Sequence, residues 1–196
     1  MSAASIMAAI VLRLLFLGPP GAGKGTQADQ VAKRLGVPHI STGEMFRDHV
    51  SGGTELGRRV ESIMTAGDYV PDEITVAMLE ERFNQPDAAR GFILDGFPRT
   101  RRQVASLDSL LGEDGLDRVV VFKVDEDELL ARMLERGRAD DDADTIRNRL
   151  RVYNEQTQPL IEIYNQRGLT VTIDGSGDID EVTDRVMSVI GAGDEA

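Results

Sequence analysis

The chain has 196 residues, of which 41% are apolar, so it is long and apolar enough for one globular domain and is not a disordered chain. It contains no cysteine, which excludes a disulfide framework and a thiolate metal site. Its formal charge of -12 predicts an acidic surface that repels nucleic acid and anionic membrane, so we expect neither as a partner.

The apolar run near the start of the chain is interrupted by Arg13 and is too short to span a bilayer. It also lacks the basic start and the cleavage pattern of a secretory signal, so we expect a cytoplasmic protein. We interpret Val11 to Leu17 as a buried parallel strand, and residues 1–5 and 192–196 as flexible ends. Met7 is an alternative start to Met1.

The segment LGPPGAGKGTQ, from Leu17 to Gln27, has the composition of a phosphate-binding loop. Its glycines let backbone N–H groups approach phosphate oxygens, and a following helix adds the positive end of its dipole. Lys24 supplies a point charge for the outer phosphates. The usual hydroxyl residue is replaced by Gly25, and the hydroxyl follows one position later at Thr26.

Strand-like and helix-like patterns alternate after the loop. TQADQVAKRLG has helical spacing and stops at Gly36. The later strand patterns are VPHI at 37–40, GFILD at 91–95, RVVVFKV at 118–124 and LTVTI at 169–173. Near-continuous apolar strands joined by helices predict an α/β fold with a doubly wound, five-stranded parallel sheet.

Two polar segments, 41–70 and 137–144, interrupt this scheme at points that should face the ligand edge of the sheet. We interpret the first as a small helical substrate-binding insert and the second as a short lid. Asp144, directly before TIRNRL, also suits a helix N-cap. A single domain then has a core made of residues 6–40, 71–136 and 145–191.

The segment GPPGAGKGTQ resembles the loop of nucleoside monophosphate kinases, in which Gly-Lys-Gly-Thr is the rule. Three further segments carry the resemblance: ISTGEMFR at 40–47, DGFPRTRRQ at 95–103 and GRADDDADTIRNRL at 137–150. With the order of elements they cover nearly the whole chain, and the pattern is most similar to the adenylate kinase family in its short-lid form. The resemblance implies a P-loop fold and reversible phosphoryl transfer from ATP to AMP, giving two ADP.

The resemblance implies an ATP site on the loop and on the helix of DEDELLARMLERG. Family positions like Arg136 contact ATP phosphates, and those like Arg132 support them or stack near adenine. Cations near a helix C-terminus also favour its dipole, so the residues alone leave both readings open. A backbone carbonyl near Gly177 would read the ATP base, although a turn must occur there in any case. The implied ATP set is Gly21, Ala22, Gly23, Lys24, Gly25, Thr26, Arg132, Arg136 and Gly177.

Asp95 ends the strand pattern GFILD, and the resemblance implies that it holds Mg²⁺ through water. Because Gly25 has no hydroxyl, we expect the metal to depend more heavily on Asp95 than in hydrolytic phosphate-loop proteins. Long-lid relatives bind zinc through lid cysteines. This chain has no cysteine and a short lid, so we expect no zinc site.

The resemblance places AMP against residues 41–70 and the segment after Asp95. Thr42 and Gln103 would select adenine, because uridylate/cytidylate kinases usually carry Ala and Asn in these places. Arg47 and Arg99 would bind the AMP phosphate, and the backbone of residues 68–70 would cover the base and ribose. The implied AMP set is Thr42, Arg47, Asp68, Tyr69, Val70, Gly96, Phe97, Pro98, Arg99, Gln103, Arg138 and Arg149.

Phosphoryl transfer requires positive charge gathered at one point and no covalent step on the protein. Arginine supplies nearly all of the positive charge here, a composition compatible with a GC-rich genome or a saline habitat. The resemblance brings Arg138 and Arg149 to the transferring phosphate when the lid closes, with Asp140 and Asp141 at the paired-aspartate positions of the family. The implied catalytic set is Lys24, Arg99, Arg132, Arg136, Arg138 and Arg149.

The sequence disfavours four other functions. Thr42 and Gln103 disfavour a uridylate/cytidylate-type kinase, while Gly25 and the motif DGFPRT disfavour a shikimate kinase. The absence of an Asn-Lys-x-Asp motif disfavours a GTPase switch, and the loop lysine and motif arginines disfavour a non-catalytic nucleotide-binding module. We expect a monomer that binds ATP, AMP and ADP.

Overall fold

The computed structural model describes residues 11–137 and 142–191. Its centre is a five-stranded parallel sheet in the order β2-β3-β1-β4-β5. The strands are β1 (Leu12–Leu17), β2 (His39–Ser41), β3 (Gly91–Asp95), β4 (Arg118–Lys123) and β5 (Thr170–Asp174). The predicted α/β fold with five parallel strands is confirmed.

The second strand begins two residues later than the VPHI pattern predicts. The preceding helix explains this difference, because the backbone N–H groups of Gly36 and Val37 both donate to the carbonyl of Ala32. Val37 therefore completes the helix end, and Gly36 adopts the left-handed φ of 69° that glycine tolerates there.

Helices connect the strands and cover both faces of the sheet. They are α1 (Lys24–Leu35), α2 (Thr42–Ser51), α3 (Glu55–Thr65), α4 (Asp72–Phe83), α5 (Arg101–Leu111), α6 (Glu126–Arg136), α7 (Ala143–Val152), α8 (Leu160–Gln166) and α9 (Ile179–Gly191). A π-helical segment, Tyr153–Thr157, follows α7. No helix in the described part of the chain is both long and apolar enough to cross a membrane.

The central strand β1 shows why the strand patterns are apolar without alternation. Leu14 and Phe16 pack into the cluster on one face of the sheet, and Leu15 and Leu17 pack into the cluster on the other. All four side chains are at most 3% exposed. Successive residues of a strand point to opposite faces, so a strand covered by helices on both sides needs apolar residues throughout.

Helices α2 and α3 fill most of the polar segment 41–70 and have a small apolar cluster of their own, formed with α4. Phe46, Val60, Val70 and Met78 are its buried members. The two helices approach so closely that a Cβ on Gly57 would lie 2.0 Å from the carbonyl oxygen of His49. Glycine at this point is what allows the insert to be compact.

The N-cap of α7 is Asp142, so the expectation that Asp144 caps this helix is wrong. The Asp142 carboxylate accepts hydrogen bonds from the backbone N–H groups of Asp144 and Thr145, each at 3.0 Å. Because the helix begins at Ala143, Asp144 lies in its first turn and pairs with Arg147 at 2.9 Å. The predicted lid residues Arg138, Asp140 and Asp141 lie outside the described residues.

Candidate active site

A cleft of about 690 Å³ opens at the carboxyl ends of the strands. It lies between the glycine loop after β1, the α2–α3 insert, the turn after β3, and helices α6 and α7. Ligands of open α/β sheets bind at this edge, where the loops that follow the strands converge. The cleft is therefore the candidate active site.

The glycine loop curls over the start of α1 and is held by its own lysine. Gly18, Gly21 and Gly23 have φ values of 152°, 87° and 83°, which side-chain-bearing residues rarely adopt. The Lys24 ammonium donates to the carbonyls of Gly18 at 2.8 Å and Pro19 at 2.9 Å. Since the N-cap Gly23 has no side chain, the first N–H groups of α1 face the cleft without a competing cap.

Lys24 belongs to a cationic cluster in the cleft. Burial lowers the pKa of Lys24, the Asp95 carboxylate opposes that effect, and the guanidinium groups of Arg99 and Arg136 lower the pKa further. The pKa of Arg47 is lowered by burial as well, and again Arg136 and Arg99 contribute. These four cations, called here the cationic cluster, are close enough to repel one another, which favours an anion between them.

Arg99 is fixed from three directions. Its Nε donates to the Gly96 carbonyl at 2.6 Å, and its guanidinium carbon lies 4.8 Å above the centre of the Tyr69 ring. The Thr157 hydroxyl donates to the Arg99 carbonyl at 2.9 Å and lies 2.8 Å from the Tyr69 hydroxyl. The guanidinium is thus held by the turn after β3 and by the insert, and the Arg99 backbone is held by the π-helical segment.

Asp95 ends β3 beside the start of α1, where its side chain is 13% exposed. A Cβ on Gly25 would lie 3.7 Å from Asp95 Oδ2, so the position that lacks a hydroxyl faces this carboxylate. His39 Nε2 is buried without a hydrogen-bond partner and lies 3.9 Å from the same oxygen. No group of three or more His, Asp or Glu side chains within the described ranges could hold a metal by protein ligands alone.

Two polar residues of the predicted adenine site are almost completely buried. Thr42, 2% exposed, donates from its hydroxyl to the Gly96 carbonyl at 2.9 Å. Gln103, 1% exposed, accepts from the Arg99 N–H at 2.7 Å and donates from Nε2 to Asp72 at 2.7 Å. Both side chains are therefore held in fixed orientations at the cleft wall.

The predicted ATP residues all border the cleft. Arg132 donates to Glu128 at 2.5 Å and to the Gly175 carbonyl at 3.1 Å, so it joins α6 to the turn after β5. Gly177 lies in that turn with a φ of 105°. The predicted ATP residues along the wall are Gly21, Ala22, Gly23, Lys24, Gly25, Thr26, Arg132, Arg136 and Gly177.

The predicted AMP residues border the opposite end of the cleft, except Arg138, which lies outside the described residues. Arg149 projects from α7 next to the insert, where a Cβ on Gly67 would lie 3.1 Å from its Cγ. The remaining wall residues are Thr42, Arg47, Asp68, Tyr69, Val70, Gly96, Phe97, Pro98, Arg99 and Gln103.

Sequence reasoning missed four residues that shape the part of the cleft lined by the predicted AMP residues. Tyr153 and Thr157, from the π-helical segment, line the cleft, and Asp72 holds Gln103. Asn148 donates from its amide to the Ala66 carbonyl and the Asp68 carboxylate, both at 2.8 Å, and so ties α7 to the insert. Asp72, Tyr153 and Thr157 lie outside the motifs of the sequence, and Asn148 lies within GRADDDADTIRNRL, where its uncharged amide gave no signal of its contacts.

Known proteins are similar to this chain over most of its length. The sequence model of a protein family described as adenylate kinase matches residues 16–169. The chain is 53% identical over 182 residues to an adenylate kinase of Nocardia farcinica, covering 92% of this chain and 99% of that protein. It is 51% identical over 185 residues to one of a Nocardioides species and 50% identical over 185 residues to one of Thermobifida fusca, in each case covering 91% of this chain and at least 97% of the relative.

Proposed function

The chain belongs to the adenylate kinase family and is an ATP:AMP phosphotransferase, and we propose that its cationic cluster is the point at which the phosphoryl group passes from ATP to AMP. The observation that carries this proposal is the convergence of Lys24, Arg47, Arg99 and Arg136 on one cleft in a protein whose net charge is -12. Cations gathered in one cleft repel one another, and bound phosphates offset that repulsion.

Each group of residues has one task in this proposal. The loop N–H groups and Lys24 bind the ATP phosphates, with Arg132 and Arg136 of α6 beside them and the Gly177 turn at the ATP base. Arg47 and Arg99 bind the AMP phosphate, and Arg149, with Arg138 from the lid, stabilises the charge that develops on the transferring group. No covalent intermediate on the protein is needed, because positioning and positive charge are sufficient for phosphoryl transfer.

Adenine selection at the AMP end is assigned to Thr42 and Gln103, with the backbone of residues 68–70 over the base and ribose. Burial of both side chains, and the hydrogen bonds that fix them, support this assignment. The test is the rate of nucleoside diphosphate formation with ATP as donor and AMP, UMP, CMP or GMP as acceptor. AMP is expected to be the best acceptor, and a preference for UMP or CMP would instead indicate a uridylate/cytidylate-type kinase.

The residues around Asp95 are suited to Mg²⁺ that binds together with ATP. Magnesium keeps much of its water and is usually held by one or two carboxylates plus phosphates, so the single carboxylate of Asp95 beside the Gly25 backbone is sufficient. Bound there, Mg²⁺ would neutralise charge on the ATP phosphates. The buried Nε2 of His39 lies 3.9 Å from the same carboxylate.

The Asp95 assignment is tested by Asp95→Asn, which keeps the size of the side chain and removes its charge. We expect binding of Mg²⁺ to the ATP complex, measured by Mn²⁺ competition in a paramagnetic titration, to weaken about 10-fold or more. Asp29→Asn, an exposed carboxylate on the other side of His39, is the matched control. Equal metal affinity in the Asp95 variant and the wild type would show that the metal does not bind at this carboxylate.

The proposal further includes a monomeric enzyme in the cytoplasm whose partners are ATP, AMP and ADP. The negative charge supports the expectation that nucleic acid is not a partner. We expect the insert, together with the lid predicted from the sequence, to close over the bound nucleotides and exclude water during transfer. Analytical ultracentrifugation with and without nucleotide tests the monomer.

A further inference from the structure

Asp72 is the first residue of α4 and lies outside every motif of the sequence, yet its carboxylate contacts the segment that carries Gln103. Its Oδ1 accepts from Gln103 Nε2 at 2.7 Å, and its Oδ2 accepts from the Thr100 hydroxyl at 3.3 Å. The Arg102 Nε lies 3.5 Å from Oδ2. With a side chain only 19% exposed, Asp72 forms a fixed anionic point behind the proposed adenine site.

These contacts leave the Gln103 carboxamide with one donor and one acceptor to offer. A carboxamide has two N–H groups and two oxygen lone pairs. Asp72 takes one N–H, and the Arg99 N–H takes one lone pair at 2.7 Å. Because Gln103 lines the cleft, the remaining N–H and lone pair are the ones left for a base bound there.

We propose that Asp72 fixes the orientation of the Gln103 carboxamide and thereby makes the AMP site selective for the hydrogen-bonding edge of adenine. The inference deepens the proposed function and rests on its placement of the AMP base beside Gln103. Asp72 is a positioning residue, because it acts on the base only through Gln103.

A flipped carboxamide would be penalised at both of its inner contacts. Its oxygen would face the Asp72 carboxylate, and its NH₂ group would face the Arg99 N–H, so an acceptor would meet an acceptor and a donor would meet a donor. The contact to Asp72 is the stronger constraint, since hydrogen bonds to a charged partner are about twice as strong as neutral ones.

The orientation matters because adenine and hypoxanthine present a donor and an acceptor at the same two positions, but in exchanged order. Adenine presents a donor at its 6-amino group and an acceptor at N1. Hypoxanthine, the base of inosine monophosphate (IMP), presents an acceptor at O6 and a donor at N1. A carboxamide that could flip would pair with either base, whereas one held by Asp72 pairs with adenine and leaves unpaired polar groups against hypoxanthine.

Asp72 is itself held in place independently of the nucleotide. It lies in the first turn of α4, where a negative charge is favoured by the helix dipole. Arg102, which approaches Asp72, also forms an ion pair with Glu73. Glu73 is an exposed carboxylate on the same turn with no hydrogen bond to Gln103 in the described contacts, so it is the matched control.

The experiment compares Asp72→Asn with Glu73→Gln. The readouts are kcat/KM for AMP and for IMP with ATP as donor, and the dissociation constants of both monophosphates by calorimetry. We expect the AMP-over-IMP preference to fall about tenfold in Asp72→Asn and to stay at the wild-type value in Glu73→Gln. An unchanged preference in Asp72→Asn, with a melting temperature near that of the wild type, overturns the inference.

Gln103→Ala separates this inference from the proposed function. If Gln103→Ala lowers the preference and Asp72→Asn does not, the adenine site stands and the role of Asp72 is wrong. If Gln103→Ala leaves the preference unchanged, the base does not lie beside Gln103 and both ideas fail. The double variant should match Gln103→Ala alone, since Asp72 acts through that side chain.

Asp72→Ser provides a second route if the asparagine variant does not fold. Serine is tolerated in the first turn of a helix, and its hydroxyl is uncharged and too short to reach Gln103. The same tenfold loss of AMP-over-IMP preference is expected, and the wild-type preference in this variant also overturns the inference.

Discussion

The glycine loop and the α2–α3 insert bound the same cleft but are held in different ways. In the loop, Lys24 bonds to carbonyls only six and five positions away in the chain, at Gly18 and Pro19. In the insert, Thr42 bonds to Gly96 and Tyr69 to Thr157, which are 54 and 88 positions away. The glycine loop is held by contacts within its own stretch of chain, whereas the insert is held by side chains that meet only through the fold.

This difference predicts that the two ends of the cleft respond differently to substitution. A loop made of backbone N–H groups and one lysine has few parts, so loss of the lysine should remove the chemistry and leave the fold intact. The proposed AMP end has several side-chain hydrogen bonds, which we expect to share positioning and selectivity. Single changes there should alter which substrate is used, or how well, in a graded way.

The largest expected effect is that of Lys24→Ala. The ammonium both secures the loop carbonyls and supplies charge to the transferring phosphate, so kcat should fall about 10⁴-fold. Turnover is measured by a coupled assay and folding by circular dichroism. Lys33→Ala, on the exposed side of the same helix, is the control and should keep normal turnover. Near-normal kcat in Lys24→Ala would show that transfer does not depend on the loop lysine.

Arg149→Ala should come next, with a loss of about 10³-fold in kcat and a smaller change in AMP affinity. The proposed target of Arg149 is charge that exists only in the transition state, so the effect should appear in kcat more than in KM. Arg147→Ala, an exposed arginine on the same helix, is the control. A change in KM alone would make Arg149 part of the AMP binding site and not of the catalytic step.

Gln103→Ala should give an intermediate, selective effect. Loss of the carboxamide removes the fixed donor and acceptor at the base, so the AMP-over-UMP preference in kcat/KM should fall about 10- to 100-fold. Gln166→Ala makes the same truncation at an exposed glutamine on α8 and should leave the preference unchanged. If both variants select AMP equally well, Gln103 has no part in reading the base.

Whether the sequence predicts a feature depends on whether that feature rests on local or on long-range contacts. Local patterns determine the phosphate loop, the five strands and the burial of β1 on both faces. The sequence predicted the bounds of these elements within two residues. The contacts of Asp72, Asn148 and Thr157 depend on where distant segments meet, and short polar residues in helices carry no periodic signal for that. The motifs predict where the site lies, whereas its long-range hydrogen bonds can be identified only from the three-dimensional structure.

The start of α7 illustrates the limit at single-residue scale. Asp142 and Asp144 both lie in an acidic run before a helical pattern, and either suits an N-cap by composition. Only the backbone decides between them, because the cap must lie outside the helix with its oxygen toward the N–H groups two and three residues on. Helix boundaries depend on this geometry and shift by a residue or two from any pattern.

The smallest expected effect tests that boundary. Asp142→Ala should lower the melting temperature by about 2–4 °C, whereas Asp144→Ala should leave it nearly unchanged. Hydrogen bonds from the Thr145 hydroxyl and N–H groups lower the pKa of Asp142 from its ordinary 3.8. The stabilisation by the ionised cap is therefore present above about pH 4 and is lost as the pH falls through the lower folded value.

Melting curves of both variants and the wild type from pH 7 down to about pH 2 check the sign of this linkage. The gap between the wild type and Asp142→Ala should close in acid, because the protonated carboxyl no longer accepts as strongly from the helix N–H groups. The curve of Asp144→Ala should follow that of the wild type throughout. A gap for Asp144→Ala equal to that for Asp142→Ala would mean that a general loss of charge, and not a cap, stabilises this end of α7. The effect would then belong to the helix dipole, which the first turn shares among its carboxylates.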